Sequence, residues 1–363
     1  ITLQMNILNK SCVLIKNGQF NIEKSVISNL KQNEVLVRLR YTGVCSSDIY
    51  RAFHNSAYNY PLIMGHEISG EIFQTGSKIK KYKKGDRVVV FPLIPCKKCD
   101  QCKIKRFNMC RSYSYYGSRT HGGFSKYLVT QEWNLLKIPK KIKFEDAACI
   151  EPMSIATHAI KKINLTKKDI NKKILIMGSG FIGLMILEIL NVCFNQKNIS
   201  KLDKNKFKLN FEKKFSSKNI LVQNDEFNIT KYKNYFDIIF EASGNKFNFI
   251  DTINYSKPGG TIVWLGNITS DLKLEKNLVS TILRKELKIL GSWNADFDSS
   301  KNNKKFFNDW EQSFKYMKSG VKPSNYISKN ITINQIPSNL KNLYNHKIGK
   351  KKFNVIKLMV ENI

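Results

Sequence analysis

The sequence predicts an α/β protein in which a β-barrel-like part is joined to a doubly wound, parallel β-sheet. Two observations lead to this prediction. Near the N-terminus, short runs alternate apolar and polar residues and are separated by turn pairs such as Asn17-Gly18 and Thr42-Gly43. Farther along, short apolar strands alternate with helical stretches, which is typical of parallel sheets. A chain of 363 residues is long enough for about two domains with separate cores.

These two patterns set the expected domain bounds. We assign residues 1–158 to the barrel part, residues 159–295 to the parallel-sheet part, and residues 296–363 to a return of the chain to the barrel part. In the barrel part the clearest strand is Glu34–Tyr41, where apolar residues recur at every second position. Two further strands are predicted there, at Ile68–Phe73 and at Arg87–Phe91.

Residues able to bind zinc lie beside two of these strands. Cys45 belongs to the segment Gly43–Asp48, and His66 is followed directly by Glu67. Far downstream, Glu151 offers a second carboxylate. Cysteine, histidine and carboxylate side chains are the usual zinc ligands in proteins, and three of them with one open position form a catalytic site. We therefore predict a catalytic zinc among these residues.

Four cysteines crowd into residues 94–112, which we predict to form a separate lobe. Their C-x2-C-x2-C-x7-C spacing lets four thiolates surround one Zn²⁺ and leaves no position for a substrate. An iron–sulfur cluster is the alternative, but the last gap is longer than in ferredoxins and no proline follows the fourth cysteine. We therefore favour a structural zinc. Its ligands would be Cys96, Cys99, Cys102 and Cys110.

A glycine-rich loop and a helical region follow the cysteine lobe. The loop at residues 117–123 runs into a strand and contains Arg119 and His121. These two side chains are candidates to face an anionic group, and the alternative is that they are exposed loop residues. From Glu145 to Ile160 the apolar residues recur with helical spacing.

The parallel-sheet part begins with a dinucleotide-binding pattern. The apolar strand Lys173–Met177 leads at once into a GxGxxG motif and then an apolar helix, the order found in a Rossmann domain. Backbone N–H groups at such a helix N-terminus bind phosphates. Asp203 ends the next strand, 20 residues after Gly183, where an acid binds the adenosine ribose and repels a 2′-phosphate. We therefore predict NAD rather than NADP. The predicted cofactor-binding residues are Gly178, Gly180, Phe181, Ile182, Gly183 and Asp203.

Two features of this part do not fit a stable nucleotide domain. Lys201 places a charge in a strand that is expected to be buried on both faces. The crossover at residues 223–235 is barely long enough to return to a parallel strand. The remaining predicted strands are Ile220–Val222, Phe236–Phe240, Thr261–Leu265, Leu287–Leu290 and Phe353–Val360, and the remaining predicted helices are Phe306–Met317 and Pro337–Tyr344.

Basic residues far outnumber acidic ones. There are 61 Lys and Arg against 28 Asp and Glu, a net charge of +33. Such an excess is typical of nucleic-acid-binding proteins, but here Lys is spread along the whole chain beside abundant Asn and Ile, which indicates a biased genomic base composition. We expect no nucleic-acid partner. Because the chain shows no signal-peptide pattern and no run of about 18 apolar residues, we expect a cytoplasmic protein with no membrane partner.

Taken together, these motifs resemble those of the zinc-dependent medium-chain dehydrogenases. The resemblance covers almost the whole chain, because the zinc ligands, the four-cysteine lobe, Glu151-Pro152, the glycine motif and Asp203 occur in the order typical of that family. It implies a GroES-like catalytic domain joined to a Rossmann domain. It also implies two zinc ions per chain, NAD as cofactor, and a homo-oligomer that is a dimer or tetramer.

The resemblance also implies which residues hold the catalytic zinc. Cys45, His66 and Glu151 match the family's ligands. Glu67 lies beside them, either bound to the metal directly or exchanging with water.

Other matches imply roles in proton transfer and cofactor binding. Ser47 matches the hydroxyl that begins the proton relay, and Asp48 matches the acid that orients the zinc-binding histidine. Lys208 matches a lysine that contacts the cofactor ribose.

The implied reaction is oxidation of a secondary alcohol with hydride transfer to NAD. Three segments, Phe53–Pro61, Gly117–Arg119 and Ile282–Trp293, resemble family members that act on a sugar-alcohol phosphate. Such a substrate needs cationic partners for its phosphate. The candidates are Arg119, His54 and Lys285. The alternatives are a dehydrogenase of an unphosphorylated polyol or amino-alcohol, and a non-catalytic basic zinc protein.

Overall fold

The structure, a computed structural model, describes residues 6–166, 169–211, 215, 217–221, 229–268, 270–299 and 308–362. The chain divides into two compact units. The first unit comprises Ile1–Glu151, Asp296–Trp310 and Lys322–Ile363, and the second unit comprises Pro152–Ala295 and Glu311–Val321. Across the described ranges, no helix has the length and apolar character needed to cross a lipid bilayer.

The chain up to residue 137 folds mainly into antiparallel strands. In order, its elements are β1 (Ile7–Lys16), β2 (Gln19–Ile27), β3 (Glu34–Val44), α1 (Ser46–Phe53), β4 (Leu62–Ile63), β5 (Glu67–Thr75), β6 (Arg87–Val90), β7 (Leu93–Ile94), α2 (Asp100–Lys103), β8 (Ser114–Tyr115), β9 (Tyr127–Gln131) and β10 (Leu135–Lys137). The three strands predicted here are confirmed as β3, β5 and β6, with slightly different ends. β3 pairs with both β5 and β9, and its residues Val35, Val37 and Leu39 are fully buried in one apolar cluster of this unit.

The middle of the chain alternates helices with parallel strands. Its elements are α3 (Phe144–Ala148), α4 (Ile150–Lys162), β11 (Ile174–Met177), α5 (Phe181–Phe194), β12 (Ile199–Asp203), α6 (Lys206–Phe211), β13 (Lys218–Leu221), α7 (Ile229–Tyr232), β14 (Phe236–Glu241), α8 (Lys246–Tyr255), β15 (Ser256–Trp264), α9 (Lys276–Arg284) and β16 (Lys288–Gly291). The sheet order is β13-β12-β11-β14-β15-β16, with every neighbouring pair parallel. This order confirms the predicted doubly wound sheet. All four residues of β11 are buried, as expected for a strand covered on both faces.

The last part of the chain adds two strands to the sheet that contains β3. Its elements are α10 (Asp309–Lys318), β17 (Ile327–Thr332), α11 (Ile336–Lys347) and β18 (Lys357–Glu361). The predicted helix at Phe306–Met317 corresponds to α10, and its first two predicted residues lie outside the described part. β18 runs antiparallel to the end of β3, with Leu358 opposite Val44 and Met359 opposite Gly43. This register places Lys357 beside the residues that lead into Cys45.

The structure explains how one of the two unfavourable features is tolerated. Lys201 lies in β12 and is fully buried, and its ammonium donates a hydrogen bond to the carbonyl of Leu209 in α6 (3.0 Å). A buried ammonium with hydrogen-bond partners costs much less than an isolated one. Most of the short crossover, residues 222–228, lies outside the described residues, although β14 pairs with β11 rather than with β13.

Candidate functional site

Cys45 lies between β3 and α1, where Asp48 holds the turn together. The Cys45 N–H donates to Oδ2 of Asp48 (3.0 Å), and Arg51 donates to Oδ1 (2.8 Å). Asp48 is fully buried, and its Oδ1 lies 3.6 Å from Nδ1 of His66. The Ser47 hydroxyl hydrogen-bonds to the Cys45 sulfur. One buried carboxylate therefore connects the start of α1 with the neighbourhood of His66.

His66 and Glu67, at the start of β5, lie close to Cys45. The turn before them is made by Gly65, whose φ of +89° favours glycine. The ligand atoms of Cys45, His66 and Glu67 all lie within 4.8 Å of one another. Nδ1 of His66 is buried and has no hydrogen-bond partner in the part of the chain that the structure describes. Sulfur, nitrogen and oxygen donors at this spacing suit a Zn²⁺ ion.

Glu67 is also one half of a buried ion pair. Its carboxylate contacts the ammonium of Lys357 through both oxygens, and both side chains are almost inaccessible to solvent. Burial by itself lowers the pKa of Lys357, but the charge of Glu67 and then that of Cys45 outweigh it and raise the pKa. A side chain at Gly43 would collide with Oε2 of Glu67, so the glycine there makes room for the carboxylate.

Glu151 lies beside this group and not within it. As the second residue of α4, it accepts a hydrogen bond at Oε1 from the Tyr115 hydroxyl (3.0 Å). The Tyr115 ring packs edge-on to His66, with ring centroids 5.8 Å apart. Burial raises the pKa of Glu151 to about 7, against an opposing effect of His66. Tyr115 therefore links Glu151 to the other candidate zinc ligands.

The four cysteines of the lobe come together as a separate group. The ligand atoms of Cys96, Cys99, Cys102 and Cys110 all lie within 4.8 Å of one another. Backbone N–H groups of Arg111 and Cys102 donate to the sulfur of Cys99 and lower the pKa of its thiol to about 6. Four sulfurs at this spacing fit a tetrahedral structural zinc.

The glycine motif forms the turn between β11 and α5. Gly178 has a φ of +99°, and a side chain at Gly183 would overlap the Gly178 carbonyl. Gly180 differs, because the space around its Cβ position is open. Oδ2 of Asp203 accepts a hydrogen bond from the Ser179 N–H (2.8 Å). The structure therefore brings the loop, the N-terminus of α5 and the acid at the end of β12 together.

The other predicted cofactor residues lie in the adjoining helices. Phe181 and Ile182 begin α5, and Phe181 is buried. Lys208 lies in α6 with a partly exposed side chain, and its backbone N–H faces Oδ1 of Asn205 (3.4 Å).

The structure contradicts the substrate role predicted for Lys285. Its side chain is buried, and its ammonium donates to the carbonyls of Ile253 (2.8 Å), Asn254 (3.1 Å) and Ser256 (2.9 Å). These carbonyls lie at the C-terminal end of α8, where a positive charge is favourable. Because three acceptors use its three hydrogens, Lys285 has none left for a phosphate.

Arg119 and His54 both pack against tyrosines. The Arg119 guanidinium lies between the rings of Tyr58 (4.5 Å) and Tyr113 (4.0 Å), and it donates to the Tyr113 carbonyl (2.6 Å). His54 is exposed, with its ring beside that of Tyr344 (5.6 Å). The guanidinium keeps further N–H donors, whereas nothing described here directs His54 toward the metal ligands.

Two residues of the site were missed by sequence reasoning. Lys357 carried a usable signal, since it is a charge inside the apolar run Val355–Val360. Tyr115 carried none, because it stands in an ordinary run of tyrosine and serine before the glycine-rich loop.

Two family models match the chain in succession. Residues 31–140 match the alcohol dehydrogenase GroES-like domain, and residues 145–347 match the glucose dehydrogenase C-terminus. The two matches together run from β3 to α11 and include the cysteine lobe and the parallel sheet.

Individual relatives extend this similarity over most of the chain. Galactitol 1-phosphate 5-dehydrogenase of Escherichia coli (strain K12) is 32% identical over 290 residues, covering 78% of this chain and 83% of that protein. A probable D-xylulose reductase A of Aspergillus fumigatus is 30% identical over 345 residues, covering 86% and 94%. The crystal structure of galactitol-1-phosphate dehydrogenase from Escherichia coli superimposes with a TM-score of 0.84 at 26% identity, covering 97% of this chain and 99% of that one.

Proposed function

The chain belongs to the zinc-dependent medium-chain dehydrogenases, and we propose that it oxidises galactitol 1-phosphate to tagatose 6-phosphate with NAD. Membership makes it an alcohol or polyol dehydrogenase. The observation that carries the proposed chemistry is the buried group of Cys45, His66 and Glu67, with Glu151 attached to it through Tyr115. The 32% identity to the Escherichia coli galactitol 1-phosphate 5-dehydrogenase supports the choice of substrate.

Two metal sites are part of the proposal. As the family resemblance implies, Cys45, His66 and Glu151 would hold the catalytic zinc, and Glu67, whose ligand atom lies within 4.8 Å of those of Cys45 and His66, is adjacent. When bound, zinc supplies a Lewis acid for the substrate oxygen, and the dinucleotide supplies the hydride acceptor. The structural zinc is held by Cys96, Cys99, Cys102 and Cys110.

The neighbouring polar residues position the ligands and move the proton. Ser47 accepts the proton of the substrate hydroxyl and passes it outward, since its side chain is partly exposed. Asp48 fixes the start of α1 through the Cys45 N–H and faces His66 at 3.6 Å. Tyr115 orients Glu151 by a direct hydrogen bond.

The cofactor is proposed to lie on the glycine loop. Gly180 leaves open space where a pyrophosphate can approach the backbone, and the N-terminus of α5 directs its N–H groups there. The carboxylate of Asp203 disfavours a 2′-phosphate, which supports NAD over NADP. Lys208 remains the proposed ribose contact.

Arg119 is the proposed partner of the substrate phosphate. A row of aromatic rings leads from it to the metal ligands: Arg119 stacks on Tyr113 (4.0 Å), Tyr113 packs on Tyr115 (6.2 Å), and Tyr115 packs on His66 (5.8 Å). The Arg119 guanidinium has N–H donors of the kind that bind a phosphate, which supports a polyol phosphate as the substrate. His54 is retained as a weaker candidate, and Lys285 is excluded.

The test is NADH formation by the zinc-loaded protein with galactitol 1-phosphate, galactitol and sorbitol in parallel. We expect turnover with galactitol 1-phosphate and none with galactitol or sorbitol. Arg119→Gln should raise KM for the phosphate about tenfold or more, because a charge-assisted contact is lost. Arg106→Gln, at an exposed arginine of the cysteine lobe, is the matched control. If the folded, zinc-loaded protein oxidised none of the three substrates, the proposed reaction would be wrong.

A second candidate is oxidation of an unphosphorylated polyol. It is favoured by the similarity to D-xylulose reductase A, which covers a larger share of both chains. Xylitol is therefore added to the same assay. Turnover with xylitol or sorbitol, and none with galactitol 1-phosphate, would favour oxidation of an unphosphorylated polyol.

A further inference from the structure

Glu241 is a buried carboxylate that the proposed zinc site does not use. It is the last residue of β14 and is fully buried. Its Oε1 accepts hydrogen bonds from the Ser243 N–H (2.9 Å), the Ser243 hydroxyl and the Gly244 N–H (3.1 Å), and its Oε2 lies 3.2 Å from the same Gly244 nitrogen. A buried carboxylate is costly unless donors surround it. Here the donors come from the turn after the strand, so Glu241 fixes the path of that turn.

The backbone of Glu241 also binds the end of the neighbouring strand. Its carbonyl accepts hydrogen bonds from the N–H groups of Leu265 (3.0 Å) and Gly266 (2.9 Å), just after β15. A side chain at Gly266 would collide with Oε2 of Glu241 and with the Gly244 nitrogen. The glycine at position 266 therefore leaves the space that the carboxylate fills, and Glu241 joins the turn after β14 to the turn after β15.

The turn held by Glu241 lies against the glycine motif. The Ala242 N–H donates to the carbonyl of Met177 (2.8 Å), the last residue of β11. One residue later in each segment, a side chain at Gly178 would lie 2.9 Å from the Ser243 nitrogen, which is too close. Ser243 is exposed although Glu241 is buried. The carboxylate therefore supports, from inside, a surface segment that borders Gly178.

This contact lies at the point where the sheet order reverses. From β11 the chain adds β12 and β13 on one side, and it then returns to add β14, β15 and β16 on the other side. In open parallel sheets, ligands bind at such a reversal, in the crevice at the carboxyl ends of the strands. The glycine motif follows β11 and residues 242–245 follow β14, so these two segments border the crevice.

We propose that Glu241 is a positioning residue for the dinucleotide, because it holds residues 242–245 against Gly178 at the crevice where the cofactor is proposed to bind. The inference rests on the cofactor site of the proposed function. Glu241 acts through the backbone of the turn, since its own carboxylate is fully buried. Without it, the N–H groups of Ser243 and Gly244 lose their common acceptor, and the turn no longer has one fixed position beside the glycine motif.

The experiment compares Glu241→Gln with the unmodified full-length protein. Glutamine keeps the size of the side chain, but it has one acceptor oxygen instead of two and brings an NH₂ group beside the donors of the turn. In fluorescence titration, NADH affinity should fall about tenfold or more. Glu188→Gln, at a buried glutamate in the second half of α5, is the matched control and should change NADH affinity little. An equal loss of affinity in the control would overturn the proposal, because affinity would then only follow stability.

Amide hydrogen exchange, followed by mass spectrometry without cofactor, measures the turn itself. In Glu241→Gln, the peptide that contains Ser243 and Gly244 should exchange about tenfold faster, because both N–H groups lose an acceptor. Peptides from β11 should keep their exchange rates. Unchanged exchange of the turn, or unchanged NADH affinity in a folded Glu241→Gln protein, would overturn the proposal.

Ser243→Ala keeps the test valid even where Glu241→Gln does not fold. It removes only the hydroxyl donor and leaves the two N–H donors in place. NADH affinity should fall about threefold, and the same peptide should exchange faster. Unchanged affinity and exchange in this variant would overturn the role of Glu241.

Failure of this inference can be told apart from failure of the proposed function. If the unmodified protein bound no NADH, the proposed cofactor would be wrong, and the role of Glu241 in its binding would be wrong with it. NADH binding that Glu241→Gln leaves unchanged would overturn the role of Glu241 alone.

Discussion

Three buried lysines show how single side chains are adapted to this fold. Lys201 donates to the carbonyl of Leu209, Lys285 donates to three carbonyls at the end of α8, and Lys357 pairs with Glu67. An isolated ammonium inside a protein is costly, and each of these arrangements reduces that cost. The hydrogen-bond partner of each lysine determines its role. Lys201 and Lys285 bind backbone carbonyls, and of the three only Lys357 lies among candidate metal ligands.

Replacement of Lys285 should reduce stability and leave substrate binding unchanged. Lys285→Met leaves three buried carbonyls without their donor, and we expect a loss of about 2 kcal/mol in the free energy of unfolding. Urea unfolding measures this loss, with the exposed Lys276→Met of α9 as control. A raised KM for the phosphorylated substrate at unchanged stability would restore the original substrate role of Lys285.

The zinc-free protein should lose stability as pH rises from about 4.5 to 7. Burial raises the pKa of Glu151 to about 7 from its usual 4.5, so the folded chain holds this proton more tightly than the unfolded chain. Stability from this group is complete below pH 4.5 and is lost as pH rises through 7, a change of up to about 3 kcal/mol.

Thermal unfolding of chelated protein across this range measures the effect, and Glu151→Gln is the comparison because it cannot titrate. Subtracting the variant's profile isolates the contribution of Glu151. A difference that is flat or that grows with pH would contradict the assigned shift.

At the scale of elements, short turns that follow strands carry the chemistry. The β3–α1 turn presents Cys45, Ser47 and Asp48, and the β11–α5 turn presents the glycine loop. In both cases a strand in a sheet fixes where the turn begins, and the helix that follows directs N–H groups to one place. The two turns differ in what glycine does, since Gly43 makes room for a side chain and Gly180 leaves room for a ligand.

Alanine substitutions of two glycines in the β11–α5 turn should separate an effect on cofactor binding from an effect on stability. Gly180 has an extended conformation (φ −76°, ψ −175°) and open space at its Cβ position, so Gly180→Ala should fold normally. The added methyl would occupy the place of the pyrophosphate, and NADH affinity should fall about tenfold. Gly183→Ala should instead lower stability by about 1–3 kcal/mol, because its methyl overlaps the Gly178 carbonyl.

NADH fluorescence titration and thermal unfolding of both variants distinguish the two effects. Unchanged NADH affinity in a folded Gly180→Ala protein would show that the open space at Gly180 has no part in cofactor binding.

At the scale of the whole molecule, the net charge of +33 is the dominant feature. A strongly positive surface attracts anions over distances set by the Debye length, about 10 Å at 0.1 M salt and about 3 Å at 1 M. Both the proposed cofactor and the proposed substrate carry negative phosphates. The basic composition therefore suits the proposed ligands without a nucleic-acid partner.

The association rate constant of NADH should fall as salt is added. Between about 0.1 M and about 1 M sodium chloride we expect a decrease of about tenfold, because screening removes the long-range attraction. Stopped-flow fluorescence measures this rate, with duplex DNA tested in parallel. Salt-sensitive DNA binding without NADH binding would instead favour the non-catalytic basic zinc protein.

The family resemblance was needed to choose the catalytic ligands Cys45, His66 and Glu151, because Cys45 and Glu151 are 106 positions apart. Local patterns in the sequence were enough to predict the fold class, the strands β3, β5 and β6, the parallel sheet, and the four-cysteine group. Each of these depends on periodicity or spacing within a short segment, where neighbouring residues constrain one another directly. The glycine motif is the clearest case, since strand, turn and helix follow without interruption from Ile174 to Phe194.

Only the tertiary structure decided which charges meet. Lys357 and Glu67 are 290 positions apart, and Tyr115 and Glu151 are 36 apart. Lys285 was predicted to bind a phosphate, but its ammonium donates to three carbonyls at the C-terminal end of α8. The pair of Lys357 with Glu67 depends on the antiparallel register of β18 with β3, which long-range packing sets and local spacing does not encode.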